Sequence, residues 1–495
     1  MGSADVCEGR KNDGVCKNDG AFGGVTACVG RDEVHGAEAC RGRNITIIKN
    51  AQIVDAESDF YGYIVFSENG IIEVAPDANG TPAGECGGSQ GAHGAQNGVL
   101  ARAFEALLAR FPNATVIDAA GKTVMPAFID MHVHFRYPGQ TQKEDLLSGS
   151  RAAAAGGVGT VVLMPNTTPV VSSLETALSI NEEVKRIGLI DAFQTVSITD
   201  GFSGNDTHHL DEVCRAFPAV PVITEDGKDV LASSVMEEAM RKCAEKGIIV
   251  SCHCEDPALV PTAKQFRAEK RFREAEKILA DAENTFTERN IELALKAGCR
   301  VHIAHASTKA ALEAVRRAKQ TPEGSKLVTC EVTPHHIALS NTADELCAEL
   351  VNPPLRSEED RLAVIQAIFD GTANVISTDH APHTSDDKAS GACGFTGIEL
   401  SFAVCNTTLI RSGIITLSKL SSLMSAVPAK LLNLKKGRLL PGYPADIVIV
   451  APDEEQTVDS TKFFSKGKYT PFNGKTLTGK VLRTFHGGKQ VFNAE

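Results

Sequence analysis

Short apolar runs set the texture of the first part of the chain. Ile45-Thr46-Ile47-Ile48, Tyr63-Ile64-Val65-Phe66 and Gly70-Ile71-Ile72-Glu73-Val74 are rich in β-branched and aromatic residues, the composition of strands. Residues 78–100 are rich in Gly, Ala and Gln and read as a loop insertion, within bounds of about 78–112. Ala101–Arg110 reads as a short helix, and strand texture resumes at Thr115-Val116-Ile117-Asp118 and Lys122-Thr123-Val124. From Pro126 the rhythm becomes strand–helix–strand. Apolar runs end near His134, Asn166, Thr199, Asp226, Cys254, His305, Thr333 and Asp379. Helical stretches lie between them, for example Ser148–Ala155, Ser233–Lys246, Thr287–Ala297 and Lys309–Lys319. This alternation predicts an α/β fold, a (β/α)8 TIM-type barrel over 126–435. An open doubly wound sheet is the alternative, but no glycine-rich phosphate fingerprint follows the first strand. β texture returns at Ala445–Val450, Val481–Phe485 and Lys489–Phe492. The flanks, 45–125 and 436–495, are therefore expected to pair into one small β-sandwich domain.

The bulk numbers agree with that plan. A barrel takes roughly 250 residues, and 495 leave room for a second domain. The net charge of −12 argues against nucleic acid as the main partner, and an anionic substrate would need local positive groups. No apolar run reaches the ~18 residues of a membrane helix. The fourteen cysteines are scattered, with no C-x-x-C pair, and Cys252, Cys299 and Cys330 sit in apolar runs, as free thiols do. This pattern predicts a reducing, cytoplasmic setting. Residues 1–44 hold nine glycines and too few apolar residues for a core, and are expected to be a disordered leader. Their lack of an apolar signal core and their acids argue against a secretory signal or organellar transit peptide.

The chemistry begins at Asp130-Met131-His132-Val133-His134-Phe135-Arg136. In a strand, alternate side chains share a face, so His132 and His134 point the same way, about 6–7 Å apart. Two imidazoles so placed can grip a metal, although an isolated H-x-H is as readily two polar residues on one face. The other strand ends change the balance: Glu225-Asp226-Gly227, His253-Cys254-Glu255-Asp256, His302-Ile303-Ala304-His305 and Thr378-Asp379-His380. Taken singly, Asp226 could be a turn acid, His253 a core histidine and Asp379 a helix cap. Five strands carrying such groups at one end point instead to the catalytic mouth of a barrel. The odd spacing of His302 and His305 puts them on opposite faces, and His305, at the strand end, is the expected ligand. Four imidazoles and two carboxylates suit two divalent ions, with Asp226 able to bridge them. Zinc suits such donors, although other divalent ions can compete for them. The ions would produce hydroxide at neutral pH to attack a carbonyl, and Asp379 is placed to receive its proton and pass it to a leaving nitrogen.

Over about residues 45 to 490 the chain resembles dihydroorotases of the amidohydrolase superfamily, of the longer class I type. The resemblance rests on Phe128–Arg136 with Pro138-Gly139 and Lys143-Glu144-Asp145, and on Met164-Pro165-Asn166-Thr167. It continues through Glu225-Asp226-Gly227, His253–Asp256, His305–Lys309, Cys330–His336, Val351–Arg356 and Thr378–His383. It implies that His132, His134, Asp379 and Asp226 hold one zinc, and that His253, His305 and Asp226 hold the second. It implies further that Arg136, Asn166 and His383 bind the substrate carboxylate, that Asn352 contacts the pyrimidine ring, and that backbone near Gly394 and Phe395 does too. Many relatives bridge their metals with a carboxylated lysine; here the position is Asp226, with Lys228 nearby. Tyr137 stands where relatives often have Glu, and Cys252 where an Asp is common.

The activity implied is reversible hydrolysis of (S)-dihydroorotate to N-carbamoyl-L-aspartate in pyrimidine biosynthesis. Another cyclic amide, such as allantoin or a hydantoin, is the alternative within the same chemistry. Arg136 and the Met-Pro-Asn-Thr run argue against it. A catalytically silent scaffold for aspartate transcarbamoylase is the alternative of another class, and the full set of candidate ligands argues against it. A homodimer and an assembly with that transcarbamoylase are the partners the resemblance suggests.

Overall fold

The computed structural model describes residues 44–77, 104–341 and 351–494. The leader expected over 1–44, apart from Asn44, and most of the insertion expected over 78–112 lie outside the described residues. Within the insertion, 104–110 form a helix.

Both flanks enter one eight-stranded sheet. From the front of the chain come β1 (Thr46–Val54), β2 (Asp59–Ser67), β3 (Gly70–Pro76), β4 (Thr115–Asp118) and β5 (Thr123–Pro126). Eight further strands, β6 to β13, belong to the barrel, and β14 (Ile447–Thr457), β15 (Thr476–His486) and β16 (Lys489–Asn493) return to the flank sheet. The order is β16-β15-β14-β5-β1-β2-β3, with β4 beside the first half of β1. The decisive pairing is β14 against β5, Ile449 opposite Val124, which joins the two ends of the chain. Ile48, Ile53, Ile64, Phe66, Val124, Ile447, Ile449 and Phe485 bury one face of this sheet. The rings of Phe66 and Phe485 meet edge-on at 5.2 Å.

The barrel strands are β6 (Phe128–Val133), β7 (Val158–Leu163), β8 (Asp191–Gln194), β9 (Val222–Thr224), β10 (Ile249–Cys252), β11 (Arg300–Ile303), β12 (Val328–Val332) and β13 (Val375–Ile376). All neighbouring pairs are parallel. Single bridges at Val133–His380 and Val196–Ile223 close the ring between β13 and β6 and between β8 and β9. Strands buried on both faces read as continuous apolar runs, and Val158–Leu163 is buried at every position. Outer helices start at side-chain caps, Asp145, Ser173, Thr308 and Ser357 among them. The helix expected over Thr287–Ala297 extends back to Phe272. Its added half buries Ala275, Leu279, Ala282, Glu283 and Phe286, with alanines and a buried acid among them, which mutes the stripe in the sequence.

One connection of the flank sheet reaches the catalytic end of the barrel. Between β14 and β15, Ser465 Oγ and the Lys466 amide donate to Glu144, at 2.5 and 3.3 Å. The amides of Phe464 and Ser465 donate to Glu399, and the Thr396 amide donates to Tyr469 O at 2.9 Å. A Cβ on Gly467 would lie 2.7 Å from Pro382 Cβ, so glycine permits the approach. Residues 463–469 thus form a strap over the loops that follow β6 and β13.

Candidate active site

His132 stands within β6, and His134, Arg136, Asn166, Asp226, His253, His305 and Asp379 stand one to three residues beyond their strands, on the backbone that leaves the barrel. Asp130, His132 and His134 alternate along β6 and share its inner face. Asp130 accepts hydrogen bonds from the amides of His132 and Thr378, at 3.1 and 3.0 Å, and from Thr378 Oγ1 at 2.6 Å. It thereby ties β6 to the turn that carries Asp379. Arg136, His305 and Asp379 have φ of +57°, +32° and +49°, a left-handed backbone unusual for non-glycine residues. Each costs about 1–3 kcal/mol, held in place by the surrounding structure.

Asp226 lies at the centre. Its Oδ1 is 3.2 Å from His132 Nε2, 3.4 Å from His253 Nδ1 and 3.9 Å from His305 Nε2. Its Oδ2 is 3.5 Å from His134 Nε2 and accepts from Asn166 Nδ2 at 3.0 Å. Asp379 Oδ1 is 3.1 Å from His134 Nε2 and 3.7 Å from His132 Nε2. Two compact donor sets result, His132–His134–Asp226 and Asp226–His253–His305, sharing one carboxylate. All six residues are buried. A third grouping, Asp191–Asp446–His486, already contains the Lys436 ammonium, 2.7 Å from Asp446.

The electrostatics follow from that crowding. Burial alone would raise Asp379, but the hydrogen bond from His134 and the neighbouring imidazole charges hold it at about 2. Asp226 is held well below the carboxylate range, against burial, chiefly by His132. Burial opposes a charged His253, yet Asp226 and Glu255 raise it to about 10. The two carboxylates are therefore held ionised by the imidazoles around them.

The expected substrate-side residues ring this cluster. Asn166 joins it directly, since its Oδ1 is 2.9 Å from His134 Nδ1. Arg136 is 8% exposed, donates Nε–H to Pro382 O at 3.3 Å, and has Nη2 3.1 Å from His383 Nε2. The Cys393 carbonyl, 2.8 Å from that nitrogen, takes its proton, so His383 offers Arg136 no lone pair. Burial lowers Arg136 to about 10, which leaves it charged at neutral pH. Among the described residues no carboxylate pairs with it. Burial and the Arg136 charge push His383 down to about 3, so its ring is neutral. Asn352 Nδ2 sits on the other side, 3.1 Å from Glu255 Oε1 and 3.3 Å from His253 Nε2. Gly394 has φ +119°, and a Cβ there would meet Ala381 at 2.7 Å. The carbonyls of Gly394 and Phe395 accept from Lys388 Nζ at 2.7 Å and from the Ala381 amide at 3.0 Å. The Phe395 ring packs on His335 at 4.8 Å.

Sequence reasoning missed several partners. Glu331 accepts from His132 Nδ1 at 2.8 Å and from His302 Nε2 at 3.1 Å. The expectation that His302 and His305 face opposite ways fails: alternation stops at Ile303, and the left-handed backbone at His305 turns its ring back to the site. The signal for Glu331 was present, an acid within the apolar run Val328–Val332.

The amidohydrolase family model matches residues 123–491. The chain belongs to the amidohydrolase family. Among similar curated proteins is a dihydroorotase of Clostridium botulinum, 39% identical over 443 residues and covering 90% of this chain and 98% of that one. A dihydroorotase of Bacillus thuringiensis is 37% identical over 411 residues, covering 81% and 94%. Among solved structures, the L-hydantoinase (dihydropyrimidinase) from Arthrobacter aurescens has a TM-score of 0.75 at 23% identity, covering 91% of this chain and 96% of that one. Dihydropyrimidinase from Brevibacillus agri gives 0.73 at 22%, covering 91% and 95%. At such identities the structural likeness speaks for the barrel. Amidohydrolases are typically binuclear metal enzymes, and this donor set fits that habit. His132 Nε2 is a buried nitrogen with no hydrogen-bond partner, aimed at two carboxylates, as a metal ligand would be. Among the described residues no helix is long and apolar enough to cross a membrane.

Proposed function

We propose that this amidohydrolase is a dihydroorotase, interconverting (S)-dihydroorotate and N-carbamoyl-L-aspartate. The observation that carries the substrate is Arg136, a buried guanidinium beside the donor cluster that has no carboxylate partner among the described residues. Dihydroorotate brings a carboxylate; a simple hydantoin or dihydropyrimidine ring does not. Arg offers it a forked, permanently charged partner. The similar curated proteins named dihydroorotase support the same reading.

His132, His134, Asp226 and Asp379 would hold one divalent ion, and Asp226, His253 and His305 the other. When bound, the two ions supply Lewis acidity for the ring carbonyl and a nucleophile from water at neutral pH. Asp379, ionised at neutral pH, accepts the proton of the attacking water and returns it to the ring nitrogen as the C–N bond breaks. Asn166 orients His134 and Asp226 from the side where the carboxylate enters. Asn352 offers its amide to the ring from the side of His253. Opening creates a second carboxylate and releases a proton, so lower pH favours ring closure, the biosynthetic direction. Zinc as the metal, a cytoplasmic homodimer, and aspartate transcarbamoylase as an assembly partner complete the reading.

The test is purified, zinc-loaded protein given dihydroorotate, allantoin and hydantoin separately, with ring opening followed in each. Turnover of dihydroorotate alone is expected. Turnover of another ring in its place would overturn the carboxylate role of Arg136. A protein that binds two ions and turns over none of the three would favour the scaffold reading.

A further inference from the structure

Beneath the donor cluster lies a buried chain of side chains that the reaction does not touch. Glu331 on β12 accepts from His132 Nδ1 with one oxygen, at 2.8 Å, and from His302 Nε2 with the other, at 3.1 Å. His302, on β11, is tied through its second nitrogen to Thr329 Oγ1 at 2.8 Å. The side chains of His132, Glu331 and His302 are each 1% exposed, so water cannot replace any link. An ionised carboxylate only accepts, so Nδ1 of His132 donates to Glu331, and the ring is fixed with Nε2 turned to the donor cluster. Nε2 lies 3.2 Å from Asp226 and 3.7 Å from Asp379 and has no hydrogen-bond partner, so the nitrogen and two carboxylates converge on one point. Such a convergence calls for a cation. The other backed imidazoles differ. His134 leans on the neutral amide oxygen of Asn166, and His253 lies 3.7 Å from Glu255. His132 alone among these has a carboxylate at close hydrogen-bonding distance on its far nitrogen.

We infer that Glu331, braced by His302, is a positioning residue that locks His132 as an Nε2 metal ligand and raises its basicity. The inference rests on the metal-ligand assignment above and not on the identity of the substrate. Removing such a partner typically lowers metal affinity about 10- to 100-fold. The loss should fall on the ion held by His132 and His134 and spare the one held by His253 and His305.

The experiment dialyses the zinc-loaded full chain against graded chelator and counts zinc retained per chain, alongside thermal unfolding of the metal-free protein. Glu331→Gln keeps the shape and removes the charge. It should release one ion at about 10- to 100-fold lower chelator strength, with the second ion and the metal-free unfolding midpoint unchanged. His302→Gln should weaken the same ion by a smaller factor, and it carries the test alone if Glu331→Gln does not fold. Retention of both ions as in the unaltered protein would overturn the inference. So would parallel loss of both ions together with a lowered metal-free midpoint, which marks a merely structural role. Because no substrate enters this measurement, its failure leaves the dihydroorotate reading to its own assay.

Discussion

In the proposed function Arg136 serves binding and Asp379 serves chemistry, and their variants should separate the two. Arg136→Met removes a buried charge-assisted partner worth about 1.5–3 kcal/mol, so KM for dihydroorotate should rise roughly 10- to 150-fold with a smaller change in kcat. An unchanged KM in steady-state kinetics would contradict the assignment. Asp379→Asn keeps the shape but cannot accept the proton. Its kcat should fall by about 10²–10⁴ or more while zinc analysis still finds metal in the protein. How far single residues were legible depends on where their backbone stops being regular. His132 and His134 obey strand alternation, and their shared face follows from spacing alone. His305 does not, because its backbone has left β11, and alternation then misplaced His302 relative to it. Glu331 is legible only as an oddity, since nothing local says that its two oxygens meet histidines from two other strands.

At the scale of elements, the strand–helix rhythm is legible because buried parallel strands are uniformly apolar, while loops that return from a distance leave no periodic trace. The strap at 463–469 is of the second kind. It hangs on Glu399, which burial raises to about 7 even though the amides of Phe464 and Ser465 oppose the shift. A carboxyl raised above its ordinary 4.5 stabilises the fold fully below that pH, and this contribution is lost as pH rises through about 7. Between pH 5 and 8 the thermal midpoint of Glu399→Gln should therefore fall less than that of the unaltered protein. An equal or steeper fall would show that Glu399 does not titrate there. A second buried element contact is the Arg356–Glu283 pair at 2.9 Å, which joins the segment after Asn352 to the Phe272–Ala297 helix. Arg356→Met removes the cation from Glu283, which keeps only its hydrogen bonds from Ser307 and Thr308, and should destabilise by up to about 3–5 kcal/mol in denaturant unfolding.

For the molecule as a whole, the metal binding proposed for the donor cluster would make stability depend on metal. Ions that bind only the folded chain add about 2.7 kcal/mol each at a hundred times their dissociation constant. Chelation should lower the unfolding midpoint, and zinc should restore it; a midpoint indifferent to both would deny a role for the cluster in holding metal. The flank sheet extends this dependence along the chain. β5 leads straight into the first barrel strand, yet its partner β14 lies beyond the last one. Glu144, Thr396 and Pro382 likewise wait for residues 463–469. A ribosome adds about 5–20 residues per second, N-terminus first. His132, His134, Asp226, His253, His305 and Asp379 have therefore all been synthesised before the residues that fasten the surrounding loops. The segment that covers this end of the barrel is thus made after every residue it covers.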